Sequence, residues 1–382
     1  MEAENEILSL LYKLDHTHYT IGMEISSFTQ EKIKVLYVVE SFSTGVYAIV
    51  RDIACNLDSN RFTVLILHSL RNDSPKNYEQ DFDTTHITLQ YVPMGTSKDY
   101  IKAISTIRQA IKTFQPHAIH LHSSKAGLLG RIAAKGSPCK HILYSPHGFS
   151  FLRTDVGTLA RKIFFMLEYG INKFNKSKFI AVSEGELVHA HKITSNAIVI
   201  NNFIDLHDFN KQLAPTKPYI VTTGRISAQK NPLLFNAIAE QLPELQFIWV
   251  GDGPQREKLT APNITITGLL SRSEAISFVE KSEIYIQTSL WEGMPVSILE
   301  AMASGKSVVA TDIIGNRDLI THNKTGFLCN PDDPKQFIQL VKTLHENDEL
   351  RLKIGTAAHT YIKNNHDKQQ AIARYEKEYA SS

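Results

Sequence analysis

From residue 33 onward the chain alternates short runs of β-branched and aliphatic residues with longer stretches whose apolar positions recur at helical spacing. That is the pattern of βαβ units around a parallel sheet. In the first half the strand-like runs are "IKVLYVV", "FTVLILH", "ITLQYVPM", "HAIHLH", "HILYSPHG", "KFIAVS" and "NAIVINN". A polar, proline-containing break, "DLHDFNKQLAPTKP", reads as a linker. The alternation then resumes with "PYIVTTG", "QFIWVG", "ITITG", "EIYIQT" and "SVVAT". The expected architecture is α/β, with two doubly wound, Rossmann-like parallel-sheet domains facing a cleft between them. Their expected extents are residues 31–212 and 213–360. Residues 1–30 form an extension with a short amphipathic pattern, "ENEILSLLYKL", and residues 361–382 hold a helix, "QQAIARYEKEYA", expected to pack back toward the first domain.

The length of 382 residues supports this division, since one hydrophobic core rarely serves more than about 250–300 residues. The 41 basic and 39 acidic side chains leave a formal charge of +2, so no field of one sign points to a nucleic-acid partner. Cys55, Cys139 and Cys329 have no redox-like or metal-like spacing and suit a reducing cytoplasm. No apolar run approaches the ~20 residues of a membrane span, and the N-terminus lacks the basic and apolar regions of a secretory signal. A soluble or peripheral cytoplasmic protein is the expectation.

Two carboxylates stand out in "SLWEGMPVSILEAMASGKSVVAT", Ser289 to Thr311. Pro295 suits a first helical turn and Gly305 the left-handed residue past a helix end, which predicts a helix over about Pro295 to Ser304. Glu292 then precedes the helix N-terminus, and Glu300 borders its apolar face. Both have a plain reading: Glu300 as a solvated edge residue, Glu292 as an offset to the helix dipole. In "GRISAQKN", at the end of a predicted strand, Gly224, Arg225 and Lys230 place two cations where open α/β sheets bind ligands. Such a loop suits a diphosphate, although an isolated Arg and Lys are more often solvated.

These residues, in order with "AVSEGE", "NNFIDLHDF" and "VGDGP", resemble the retaining glycosyltransferases of family 4, which have the GT-B fold; the resemblance spans residues 33 to about 345. It implies that Glu300 holds the donor ribose, that Glu292 contacts the donor sugar, and that Arg225 and Lys230 neutralise its diphosphate. It further implies that Gly45, Gly224, Gly293 and Met294 line the nucleotide-sugar site, and that His147 of "SPHGF" faces the reacting sugar. The implied reaction moves a sugar from a nucleotide diphosphate, a UDP-sugar first, to a saccharide or lipid-linked acceptor, without a cofactor or metal. A nucleotide-sugar epimerase or hydrolase on the same plan is the alternative. A dinucleotide dehydrogenase is disfavoured by the missing G-x-G-x-x-G after the first strand, and an exported sugar-binding protein by the missing signal.

The chain departs from the family pattern at "SFSTGVYAIV", where only Gly45 stands for a common double glycine, at Asn201 and Phe203 in place of a proline and a glycine, and at Asp318 in place of a glutamate. Asp81–Phe82–Asp83 resembles a metal-binding D-x-D but sits in a polar stretch outside any βα loop. His120 and His122 alternate on one strand and lack a third zinc ligand, which favours cleft lining or satisfied core positions. Ser183 to Glu186 has the form of a capping box. Arg161 to Phe179 mixes basic and apolar residues at helical spacing: either a buried helix with a basic face or a contact with an anionic membrane surface.

Overall fold

The computed structural model describes residues 31–209 and 218–381. The predicted helix "ENEILSLLYKL" and part of the linker lie outside the described residues. The first sheet comprises β1 (Ile33–Val39), β2 (Phe62–His68), β3 (Ile87–Tyr91), β4 (Ala118–His122), β5 (His141–Ser145), β6 (Lys178–Ala181) and β7 (Ala197–Val199). The second comprises β8 (Tyr219–Thr223), β9 (Gln246–Val250), β10 (Ile264–Ile266), β11 (Ile284–Gln287), β12 (Ser307–Thr311) and β13 (Phe327–Cys329). Their spatial orders are 3-2-1-4-5-6-7 and 10-9-8-11-12-13, with parallel pairing throughout, so two doubly wound units are present.

Why these strands are continuously apolar follows from the layers. Along β1, Val35, Tyr37 and Val39 enter one core cluster while Leu36 and Val38 enter another. In β9, Phe247 and Trp249 face one core of the second lobe and Ile248 and Val250 the other. Helices cover both faces of each sheet, so both sides of the pleat must be apolar. The strands "FTVLILH" and "SVVAT" have the bounds the pattern predicts, whereas "NAIVINN" shortens to Ala197–Val199. The edge strand β13 escapes the pattern because it is three residues long.

The helix Asp348–Asn365 belongs to the second lobe through Ile354, Ala358 and Ile362, and the chain then returns to the first. At the crossing the Ile204 N–H donates to the His366 carbonyl (3.1 Å), and His366 Nδ1 bonds the Asn202 carbonyl (2.8 Å). The last helix, Lys368–Ala380, buries Ala371, Ile372, Tyr375 and Tyr379 against the first sheet. There the Tyr379 hydroxyl bonds both the Tyr37 hydroxyl and His120 Nδ1, each at 2.8 Å. Two chain crossings therefore couple the lobes.

Candidate active site

Helix Val296–Ala303 begins one residue later than the pattern predicts: Pro295 has extended backbone (ψ 116°) and serves as its N-cap. Gly305 closes the helix in the left-handed region, φ 70°. The preceding loop, Trp291 to Met294, lies on the seam between the lobes. A Cβ placed on Gly293 would stand 2.8 Å from the Gly148 nitrogen and 3.1 Å from the His147 carbonyl carbon, so only glycine lets these backbones approach. Ser183 Oγ donates to the Gly293 carbonyl (3.1 Å) and Asn202 Nδ2 to the Met294 carbonyl (2.8 Å). The Met294 side chain is buried in the core of the second lobe.

Strand β5 stops at Ser145, and His147 itself adopts the left-handed region (φ 53°), which costs a residue with a Cβ on the order of 1–2 kcal/mol. Glu186 holds this turn in place: one carboxylate oxygen accepts the Gly148 N–H (2.6 Å), the other the Val182 N–H (2.8 Å). The sequence therefore misleads at Ser183 to Glu186. Ser183 does cap the Glu186 nitrogen (3.1 Å), but the Glu186 side chain is spent on the His147 turn. Asp318 joins the same seam, accepting the Gly185 N–H at 3.1 Å across the lobes.

His147 Nε2 and His122 Nδ1 share a 3.0 Å hydrogen bond with their rings stacked at 5.3 Å. Burial lowers the His147 pKa to about 4, and that of His122 falls well below the ordinary histidine value for the same reason. Both rings are therefore neutral at physiological pH, and the shared bond holds a single proton. His120 is satisfied by Tyr379 and by Ser145 Oγ (2.9 Å). His122 instead belongs to the site. Its signal was its position on the strand that neighbours β5.

Lys230 Nζ donates to Glu292 Oε1 at 2.8 Å, and Gln229 Nε2 donates to the other oxygen at 3.2 Å. Burial works against the Lys230 charge, but the adjacent Glu292 carboxylate outweighs it and holds the pKa above the ordinary lysine value. The lysine stem lies over Gly224, whose φ of 132° suits glycine. Arg225 is half exposed and stands 3.7 Å from Asp73, a residue of the first lobe. The sequence shows neither partnership, because the partners are far apart in the chain.

Glu300 sits in a second cluster on the seam. Arg272 Nε donates to it at 2.9 Å, and the same guanidinium lies 3.7 Å from Asp52 of the first lobe and 3.5 Å from Asp208. Burial raises the Glu300 pKa, with Arg272 opposing. Close by, Gly45 in the first turn of the helix Thr44–Asn56 lies against the start of helix Val296–Ala303: a Cβ on Gly45 would lie 3.5 Å from Val296 Cγ2. The seam thus gathers His147, Glu292, Gly293 and Lys230 in one group and Glu300 with Arg272 in another. Asp81 and Asp83 serve the fold, accepting from the Tyr47 hydroxyl and from Thr85.

The buried Glu186 yields a pH prediction. Burial raises its pKa to about 7, so the folded state holds a proton there more tightly than the unfolded chain. Stability should therefore fall as pH rises from about 4.5 to 7. Thermal melts across that range should show this slope in the wild type and its loss in Glu186→Gln; equal slopes would contradict the assignment.

Comparison with known proteins matches residues 43–208 to the model of Glycosyltransferase Family 4 and residues 204–361 to that of Glycosyl transferases group 1. A UDP-Gal:alpha-D-GlcNAc-diphosphoundecaprenol alpha-1,3-galactosyltransferase of Escherichia coli is 30% identical over 287 residues, covering 66% of this chain and 72% of the relative. HepE of Anabaena, solved with UDP-glucose, superposes with a TM-score of 0.75 at 19% identity over 92% of this chain and 100% of that one. Sucrose-phosphate synthase of Thermosynechococcus elongatus superposes with a TM-score of 0.77 at 16% identity, over 91% and 100%. The seam therefore divides the two halves of a known enzyme fold: the chain belongs to glycosyltransferase family 4 and has the GT-B architecture.

Proposed function

We propose that the protein transfers a sugar from a nucleotide diphosphate donor, a UDP-sugar first, to a saccharide or lipid-linked saccharide, with retention at the anomeric carbon and without a metal. The observation that carries this reading is the Lys230–Glu292 pair set against the His147–Gly148 turn of the opposite lobe. The Escherichia coli relative's name specifies a UDP-sugar and a lipid diphosphate acceptor, and HepE was solved with UDP-glucose, which supports the donor class. None of the relatives named above is an epimerase or hydrolase.

In this mechanism the bond from the anomeric carbon to the diphosphate breaks as the acceptor oxygen bonds that carbon on the same face. The departing phosphate oxygen takes the acceptor's proton. Lys230, Arg225 and the free N–H groups of the first turn of helix Val296–Ala303 stabilise the charge that develops on the diphosphate, the electrostatic contribution that usually dominates such catalysis. Glu292 and neutral His147 hold the sugar hydroxyls, and Glu300 the ribose.

A panel of nucleotide sugars with a lipid-linked saccharide acceptor tests the reading. Transfer should require one donor and persist in EDTA. Activity abolished by EDTA and restored by manganese would overturn the metal-free assignment, and sugar release or epimerisation without acceptor would favour the alternative enzyme class.

A further inference from the structure

The helix Thr158–Phe174 is built inside out. Leu159, Ile163, Met166, Leu167 and Phe174 fall within about 100° of one another around its axis. All five face solvent, with exposures from 47% at Leu167 to 74% at Phe174. On the opposite side Glu168 and Asn172 are buried, and the Glu168 carboxylate is matched by Arg131 Nη2 at 2.5 Å and the Tyr144 hydroxyl at 2.8 Å. A surface helix of a soluble domain ordinarily turns its apolar stripe to the core. The expectation of a buried helix with a basic face is therefore corrected: its apolar stripe faces outward.

Charge selects the occupant of this face. Lys162 and Lys173 line one edge of the stripe, Lys176 follows the helix end, and Lys135 stands 4.7 Å above the Phe174 ring. The helix's one acid, Glu168, is turned inward and paired. An apolar stripe rimmed by long cationic side chains fits the headgroup boundary of an anionic bilayer. A second copy fits poorly, because a two-fold contact would press like charges together. The stripe is tied to the site through Phe165, which meets Phe151 at 5.4 Å, while Phe151 stacks on Phe149 just past the His147 turn.

We propose that the outward face of helix Thr158–Phe174 docks the protein on an anionic lipid bilayer and so brings the first lobe to a membrane-held acceptor. The purpose rests on the lipid-linked acceptor reading; the docking does not.

The test is co-sedimentation of the full chain with vesicles of phosphatidylcholine containing phosphatidylglycerol and, separately, with pure phosphatidylcholine. The wild type should partition at least about ten-fold more strongly to the anionic vesicles, and added salt should weaken it. The triple variant Ile163→Glu, Met166→Glu, Leu167→Glu should lose that binding while keeping wild-type affinity for UDP by calorimetry. If this variant fails to fold, Lys162→Glu with Lys173→Glu supplies the same comparison. Absence of wild-type binding, equal binding to neutral vesicles, unchanged binding by the variants, or a wild-type dimer in light scattering that the triple variant dissolves would each overturn the docking proposal. Failure of the wild type to bind UDP would strike the donor reading instead, whatever the vesicles show.

Discussion

Lys230→Ala is expected to lower kcat/KM for the nucleotide-sugar donor by about 10²–10³-fold, or ~3–4 kcal/mol of transition-state stabilisation. Its ammonium is mostly buried, charged, and held by Glu292 at the seam, so no water-solvated cation can replace it without rearrangement. Removing it also leaves Glu292 with Gln229 as its remaining side-chain partner, a structural cost of about 1–3 kcal/mol. The two effects separate experimentally. Transfer kinetics should fall far more than the melting temperature predicts, and Lys230→Arg should recover part of the rate. Turnover near the wild-type value, or a loss that follows the folded fraction, would remove Lys230 from the chemistry.

His147→Ala is expected to reduce turnover by about ten-fold or more, at least ~1.4 kcal/mol, with nucleotide affinity nearly unchanged. The imidazole comes from the first lobe, while Lys230 and Glu292 come from the second, so its loss should affect the sugar end of the donor and leave the nucleotide end intact. His147→Asn should retain more activity, because asparagine tolerates the left-handed backbone at φ 53° and still offers hydrogen bonds. Because burial lowers the His147 pKa to about 4, the pH–rate profile should lack a limb near 6.5 assignable to this residue. Wild-type turnover in His147→Ala would return the residue to a structural role.

The parallel-sheet architecture was legible because both faces of each sheet are covered, which forces continuous apolar runs such as "IKVLYVV". The close of helix Val296–Ala303 was legible through Gly305, a local signal. The partnerships of the site were not. Lys230 meets Glu292 across 62 positions and Gly185 meets Asp318 across 133, and no periodicity reports contacts at such separation. Glu186 satisfied a local capping pattern and so concealed its role at Gly148. Helix Thr158–Phe174 shows the limit of amphipathic patterning: spacing identifies an apolar stripe, but the direction it faces is set by Arg131 drawing Glu168 inward.

If Lys230 and Arg225 at the seam recognise a nucleoside diphosphate, calorimetric titration with UDP and UMP in EDTA will separate the two ligands. UDP should bind at least about ten-fold more tightly than UMP, a difference of ~1.4 kcal/mol that Lys230→Ala should largely erase. Equal affinity for UDP and UMP, or a UDP preference that survives Lys230→Ala with Arg225→Ala, would rule out diphosphate recognition by these two cations.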